Sequence, residues 1–369
     1  MIKILFFIEE LRGGGAENVL CNLVNAMDQS KFEITVQTLW KVDASKYLRP
    51  GIRYRYCYGA RNQINSCRSR AEAALGLTYR FHIKGNYDIE VAYLECGATK
   101  IMTASTNRKA KKVAWVHCDL ALKMRDPEDF AKRAAAWYRA FDSIVCVSQN
   151  VKESFDRLFH IPEKTTVVYN TINDEEIRRK AAVSLPELPA KRRLTAVSLG
   201  RLTHQKAYDR LLRVHKRLLD AGFSYDLWIL GEGEDRPMLE KYIEENKLSH
   251  SVRLFGFCGN PYPYIQAADL LVCSSRYEGF STFITEGLIL GKPIVTTECT
   301  GMRELLGNSE YGLIVDNQED ALCNGLRKML KDSELRATYA THAAERGRDF
   351  SARQLAKETE DFFIQLLKD

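Results

Sequence analysis

Short apolar runs of strand length alternate with helical stretches along this chain, twice over, and no other feature restricts the fold as much. The first series comprises residues 2–8, 34–39, 89–94, 113–116, 144–147 and 167–169, with helical stretches such as 16–27, 127–141 and 150–159 between them. The second comprises 194–199, 227–230, 252–255, 270–273, 294–297 and 313–315, with helices such as 210–221 and 237–247. Continuous apolar strands separated by helices build parallel sheets, because a parallel neighbour can be reached only by a long crossover. The stretch from about 170 to 193 interrupts the rhythm with Pro186, Pro189, many charges and no strand-like run. The reading is therefore two doubly wound α/β domains, 1–170 and 194–351, joined by a connection over 171–193, with an amphipathic helix over 352–369 closing the chain. A length of 369 residues suits two domains of ordinary size. Open sheets of this kind bind ligands outside the carboxyl ends of their strands, so loops that follow strands are the places to look.

Composition excludes several classes. Hydrophobic content of 45% with 28% charged residues is that of a globular protein in water, and no run of 18 apolar residues occurs. The expected location is cytoplasmic, or peripheral to a membrane. The ten cysteines form no C-x2-C or C-x4-C pair, and Cys146 and Cys273 fall inside apolar runs. They read as small core residues in a reducing compartment, not as metal ligands. Net charge is +6 but uneven, since residues 41–80 hold nine Lys or Arg against Asp43 and Glu72. Residues 107–112, NRKAKK, add a second basic patch. This face is either a solvated basic surface or one that meets anionic lipid or a pyrophosphate-bearing acceptor. Nucleic acid is not expected, because no nucleic-acid motif accompanies the charge.

One segment carries the most chemistry. Glu278-Gly279-Phe280-Ser281-Thr282-Phe283-Ile284-Thr285-Glu286 places two carboxylates eight positions apart, around a glycine turn and a Ser-Thr helix start. A helix start offers free N–H groups and the positive end of the helix dipole, which suits a phosphate. Glu278 lies in the loop before it and Glu286 within the helix. A phosphate flanked by two acceptors of sugar-hydroxyl hydrogen bonds describes a nucleotide-sugar; the alternative is a capped surface helix with two solvated glutamates. Other strand-following positions converge on the same edge. Gly13, Gly14 and Gly15 follow the first run and precede a helix, as a phosphate-approaching loop or a plain βα turn. Arg201 and Lys206 follow the run 194–199, where a guanidinium and an ammonium can bind a departing diphosphate or stand solvated. Gly231 follows 227–230 as a tight turn, with or without ligand contact. His117 ends the run 113–116 and faces the ligand edge, unless it is a structural histidine; Asp119 beside it could orient an acceptor hydroxyl.

Ser274 to Gly287 and Gly291-Lys292-Pro293 together resemble the E-x7-E block of retaining group 1 glycosyltransferases. Gly13-Gly14-Gly15-Ala16-Glu17 resembles their amino-terminal glycine loop, and Gly200-Arg201-Leu202 with Lys206 their phosphate-binding block. The resemblance covers nearly the whole chain. It implies a GT-B fold, two Rossmann-like domains facing across a cleft, with the terminal helix returning to the first domain. It implies Glu278 on the donor sugar, Arg201 and Lys206 on the pyrophosphate, Phe280, Ser281 and Thr282 offering N–H groups to the phosphates, and Glu286 on the ribose. It places His117 against the donor sugar and backbone near Phe257 against the base, although the Phe257 side chain could equally be core. The family often has glycine after the lysine, where this chain has Ala207. The implied function is retaining transfer of a hexosyl or N-acetylhexosaminyl group from a nucleoside diphosphate sugar, with uracil the first choice of base. The acceptor is a hydroxyl of a glycan or lipid-linked glycan, in bacterial surface polysaccharide assembly. No metal or other cofactor is expected. The rivals are a non-catalytic sugar-nucleotide-binding scaffold and a GT-B-like phosphorylase or epimerase.

Overall fold

A computed structural model describes residues 1–11, 14–184, 191 and 193–368. Gly13, Pro186 and Pro189 therefore lie outside the described residues. The chain divides into two units, Met1–Ile172 with Ser351–Asp369, and Asn173–Phe350.

The first unit holds seven parallel strands: β1 (Ile2–Ile8), β2 (Phe32–Trp40), β3 (Arg53–Tyr58), β4 (Ile89–Ala92), β5 (Lys111–Val116), β6 (Ser143–Cys146) and β7 (Thr165–Val167). Their order is β3-β2-β1-β4-β5-β6-β7. β1 is sealed on both faces, with Ile4 to Ile8 wholly buried, which is why it reads as one apolar run. β3 was not expected. Its sequence RYRYCY is polar and aromatic, and it sits at the sheet edge, where one side needs no apolar cover. The helix Ala352–Leu366 belongs to this unit. Phe363 is fully buried edge-on to Phe6 and Trp115, and Glu360 accepts a 2.7 Å hydrogen bond from the Asp28 N–H.

The second unit holds β8 (Leu194–Leu199), β9 (Tyr225–Leu230), β10 (Val252–Leu254), β11 (Leu270–Cys273), β12 (Ile294–Thr297) and β13 (Leu313–Val315), in the order β10-β9-β8-β11-β12-β13. Leu211, Leu218, Leu227, Ile229, Val272, Val295 and Leu326 lie at the centre of its core. The sequence reading gave 171–193 to an interdomain connection. Residues Asp174–Ala181 instead form a helix within this unit, packed on the helices Tyr262–Ala267 and Thr282–Ile289. Asn173 caps it by accepting from the Glu176 N–H at 3.0 Å, and acids in its first turn and bases in its last complement the helix dipole. The run of charges that had suggested a linker is thus a helix surface.

Both sheets reverse direction at their first strand. In the first, β1 lies between β2 and β4; in the second, β8 lies between β9 and β11. Such switch points splay adjacent loops apart at the carboxyl edge and open a ligand crevice. Arg201 and Lys206 follow β8, and Glu278 follows β11.

Candidate active site

In the second unit, the loops after β8 and β11 are laced together. The Arg276 N–H donates to the Gln205 carbonyl at 2.8 Å, the Gln205 amide to the Tyr277 carbonyl at 3.0 Å, and the Ser274 hydroxyl to the Lys206 carbonyl at 2.8 Å. This lacing brings the Lys206 ammonium to 2.6 Å from Glu278 Oε1, which also accepts from the Ser275 hydroxyl at 2.5 Å. Burial works against the lysine's charge, but the Glu278 carboxylate overrides it and holds the ammonium above the usual lysine range. Glu278 is 6% exposed, and its Oε2 has no protein partner among the described residues.

The loop that presents Glu278 is fixed from beneath by residues the sequence reading did not single out. The buried Arg210 guanidinium donates to the carbonyls of Ser274, Ser275 (3.3 Å) and Asn317 (3.3 Å). Thr297 donates to the Ser275 carbonyl at 2.7 Å, and the Asn317 amide to the Arg276 carbonyl at 2.9 Å. Arg276 itself is clamped by the Asp209 carboxylate at 3.0 Å. Gly301 permits a close approach: its φ is +81°, and a Cβ there would lie 2.2 Å from the Gly279 carbonyl. Gly231, at φ +140°, does the same for the β8 loop, since a Cβ would meet the Gly200 carbonyl at 2.0 Å. Its N–H donates to the Gly256 carbonyl at 2.8 Å. Ala207 takes the left-handed conformation (φ 54°, ψ 42°) while wholly buried, so the loop keeps the backbone shape a glycine would give it.

The helix Thr282–Ile289 starts at this edge, with Ser281 at its N-cap. The Ser281 side chain makes no cap hydrogen bond, and its hydroxyl is buried without a partner. On the same helix, Glu286 Oε1 accepts from the Tyr262 hydroxyl at a long 3.4 Å, and Oε2 is buried with no partner among the described residues. Burial raises the Glu286 pKa to about 7, against only weak support from Tyr262 and Lys206. Phe280 is buried against Phe350. Phe257 is 68% exposed, which rules out the core role left open for it. Arg201 is exposed and has no ionic partner among the described residues, so the structure does not bring it into the Lys206–Glu278 pair.

In the first unit, Gly14 caps the helix Gly15–Ala26, and its N–H donates to the Glu17 carboxylate. His117 follows β5. Its ring lies on Tyr93 with centroids 4.7 Å apart, and its Nε2 is buried without a hydrogen bond among the described residues. Burial lowers its pKa to about 4, only partly offset by Glu95, so the ring is neutral at physiological pH. Glu95 accepts from the His117 backbone N–H at 3.1 Å and from Lys123 at 2.7 Å. Despite burial, Lys123 and His117 hold its carboxyl down to about 2. Asp119 is not free to orient an acceptor. Its Oδ1 caps the helix Leu120–Lys123 and takes the Ser154 hydroxyl at 2.6 Å.

Two family models cover most of the chain: "Glycosyl transferases group 1" over residues 185–346 and "Glycosyltransferase Family 4" over 13–176. The chain belongs to the group 1 glycosyltransferases. Among curated relatives, it is 33% identical over 230 residues to N-acetylgalactosamine-N,N'-diacetylbacillosaminyl-diphospho-undecaprenol 4-alpha-N-acetylgalactosaminyltransferase of Campylobacter jejuni. That match spans 62% of this glycosyltransferase and 61% of the relative. The amylovoran biosynthesis glycosyltransferase AmsD of Erwinia amylovora is 21% identical over 98% of this chain and 99% of its own length. Among solved structures, Anabaena Alr3699/HepE in complex with UDP-glucose superposes with a TM-score of 0.77 at 18% identity, covering 99% of this chain and 100% of that one. The fold of this glycosyltransferase is GT-B. Its first sheet carries His117 and Glu95 at the carboxyl edge, and its second carries Lys206, Glu278 and Glu286.

Proposed function

We propose that this glycosyltransferase moves a hexosyl or N-acetylhexosaminyl group from a nucleoside diphosphate sugar to a hydroxyl of a glycan or lipid-linked glycan, with retention at the anomeric carbon. The observation that carries the reading is the row of unmet polar groups along 278–286. Among the described residues, the Ser281 hydroxyl and Glu286 Oε2 are buried without a partner, and Glu278 Oε2 accepts no hydrogen bond. Buried groups of this kind normally have partners, and a ligand that supplies them is the simplest account. Their order suits a nucleotide-sugar. Glu278 accepts from hydroxyls of the sugar, the start of the helix Thr282–Ile289 takes the phosphates, and Glu286 accepts from the ribose. Lys206, already charged, and the exposed guanidinium of Arg201 stabilise the diphosphate as it departs. Both attractions grow with the negative charge that bond cleavage creates.

In this reading the bond from the anomeric carbon to the diphosphate oxygen breaks, and the acceptor oxygen bonds to the same face of that carbon. The acceptor's proton passes to the departing phosphate, so no base from the protein is required. The neutral ring of His117, in the first unit, carries no positive charge that would oppose a developing oxocarbenium ion. The donor base is uracil in the first instance, as the UDP-glucose bound to the Anabaena protein suggests. The Campylobacter relative's name, with its diphospho-undecaprenol-linked glycan, and the Erwinia relative's, with amylovoran biosynthesis, support a lipid-linked glycan or polysaccharide acceptor. Among the described residues no helix is long and apolar enough to cross a membrane.

The test is a calorimetric and thermal-shift screen of UDP, GDP and ADP and their sugars, in EDTA, followed by transfer assays with the donor that binds. Stabilisation by one nucleotide series and turnover in EDTA are expected. Tight binding of a donor with neither transfer nor hydrolysis in the presence of membrane extract would move the assignment to a scaffold.

A further inference from the structure

A cavity of about 580 Å³ opens at the opposite end of the first unit's sheet. Its walls are the helix Thr78–His82 with the turn leading into β4, and the loop 104–110 leading into β5. Both segments precede their strands, so the cavity lies at the amino ends of β4 and β5. His117 and Glu95 lie past the carboxyl ends. Six residues of β5 separate the two edges, about 20 Å at strand rise. One small ligand cannot occupy both.

The walls are built around a buried carboxylate. Glu90 is wholly buried and accepts from the Tyr79 hydroxyl at 2.6 Å, the Ser105 hydroxyl at 2.6 Å and the Asn107 amide at 3.3 Å. The same Asn107 amide donates to the Tyr87 carbonyl at 2.9 Å, which pins the loop before β5 to the turn before β4. Glu90 thus fixes the floor, while its charge is screened by three donors. The lining itself carries four cations, Arg80, Lys84, Arg108 and Lys109, and no carboxylate. None of the four has an ion-pair partner among the described residues. Asp88, the nearest acid in sequence, stands outside the lining and accepts from the Lys3 backbone N–H at 2.7 Å.

Four like charges facing one concavity repel one another and focus a positive potential into it. Two guanidinium forks and two ammonium groups, one of which (Lys84) also donates to the Arg80 carbonyl, offer enough donors for the several oxygens of a phosphate or diphosphate. Tyr79 is only 4% exposed, so the floor offers no platform on which a base could stack. We propose that this pocket is a second ligand site that takes a phosphate or diphosphate group, either a phospholipid headgroup or a soluble phosphate. It is independent of the donor site and of the transfer reaction.

The test uses the intact chain without nucleotide-sugar. Inorganic pyrophosphate is titrated calorimetrically, and sedimentation is measured with vesicles of phosphatidylcholine alone and with phosphatidylglycerol added. The variant Arg108→Glu/Lys109→Glu is compared with Arg70→Glu/Lys132→Glu, which makes the same charge change on exposed residues outside the pocket. Far-UV circular dichroism and melting confirm that both are folded. The pocket variant should lose affinity by about tenfold or more for at least one probe, while the control variant changes little. Binding of pyrophosphate identifies a soluble phosphate as ligand; binding only of the phosphatidylglycerol vesicles identifies a headgroup. Equal losses in the two variants would mean diffuse attraction to a basic face, and no binding of either probe would mean no site. Either result overturns the proposal.

Discussion

Replacing Glu286 by glutamine should stabilise this protein and weaken its grip on donor, and both effects follow from one buried carboxyl. Its pKa is raised from an ordinary 4.5 to about 7 because it is desolvated with little to compensate the charge. The folded state therefore holds a proton that the unfolded state releases between those two values. Stability must fall as pH rises through that window, and the full cost stands above about pH 7. A shift of about 2.5 pH units corresponds to about 3 kcal/mol at 1.36 kcal/mol per unit. The residue is not wholly sealed from solvent, so about 2 kcal/mol is the better expectation. Glutamine keeps the shape and an acceptor for the Tyr262 hydroxyl but does not titrate. Glu286→Gln should match the wild type in melting temperature near pH 4.5 and exceed it by about 5 °C at pH 8, with the gap opening steadily between. The stabilisation that UDP confers on the wild type should shrink in the variant, since an amide is a poorer acceptor for a ribose diol. A gap that does not change with pH, or a variant less stable than wild type at pH 8, would refute the idea that this carboxyl is held at an energetic cost for a ligand.

Further outcomes are expected at Lys206, Arg210 and Ala207. Lys206→Ala should destabilise by about 3–5 kcal/mol in denaturant melts, because Glu278 is left buried without its cation, and should cut turnover by at least about a hundredfold. Adding Glu278→Gln should recover the stability and not the turnover; recovery of both would remove the pair from the chemistry. Arg210→Ala should lower kcat by about tenfold with a much smaller effect on UDP affinity, since the guanidinium acts by holding the Ser274–Glu278 loop. Arg210→Lys should fail to rescue it, because one ammonium cannot span three carbonyls. Ala207→Gly should be neutral or stabilising by up to about 1 kcal/mol in the same melts, whereas Ala207→Val should destabilise, since only glycine takes a left-handed backbone without steric cost.

Most of the sheet architecture was legible because strand cores in a parallel sheet are apolar on both faces. The runs read for the second unit at 194–199, 270–273, 294–297 and 313–315 coincide with β8, β11, β12 and β13. β3 escaped notice for the complementary reason. An edge strand needs apolar cover on fewer sides, so Arg53, Tyr54, Arg55 and Tyr56 satisfy it without any hydrophobic run. The helix Asp174–Ala181 was lost in a charged, proline-containing neighbourhood. Its amphipathic signal rests on Ile177 and Ala181 alone, too little to stand out.

The candidate site divides along a different line. Lys206, Glu278 and Glu286 could be proposed from the sequence because each lies within a short motif at a fixed offset from a strand, and strand, turn and helix start are local properties of the chain. What holds those residues in place is not local. Arg210 acts on carbonyls 64 to 107 residues away, and Thr297 on one 22 residues away. A backbone carbonyl has no side-chain identity, so no pattern of residue types marks it as a partner. Asp119 shows the converse error, since a carboxylate beside His117 looks available until the folded chain spends its oxygen on Ala121, Leu122 and Ser154. Candidate chemistry can therefore be proposed from one sequence when it sits on the grammar of strand ends. Support for that chemistry cannot, because it is delivered to backbone atoms by side chains that the fold alone brings near. The distinction also explains Ala207. Its left-handed backbone is set by the turn between Lys206 and the helix Tyr208–Asp220, so the loop keeps its shape although the residue type that usually announces it is absent.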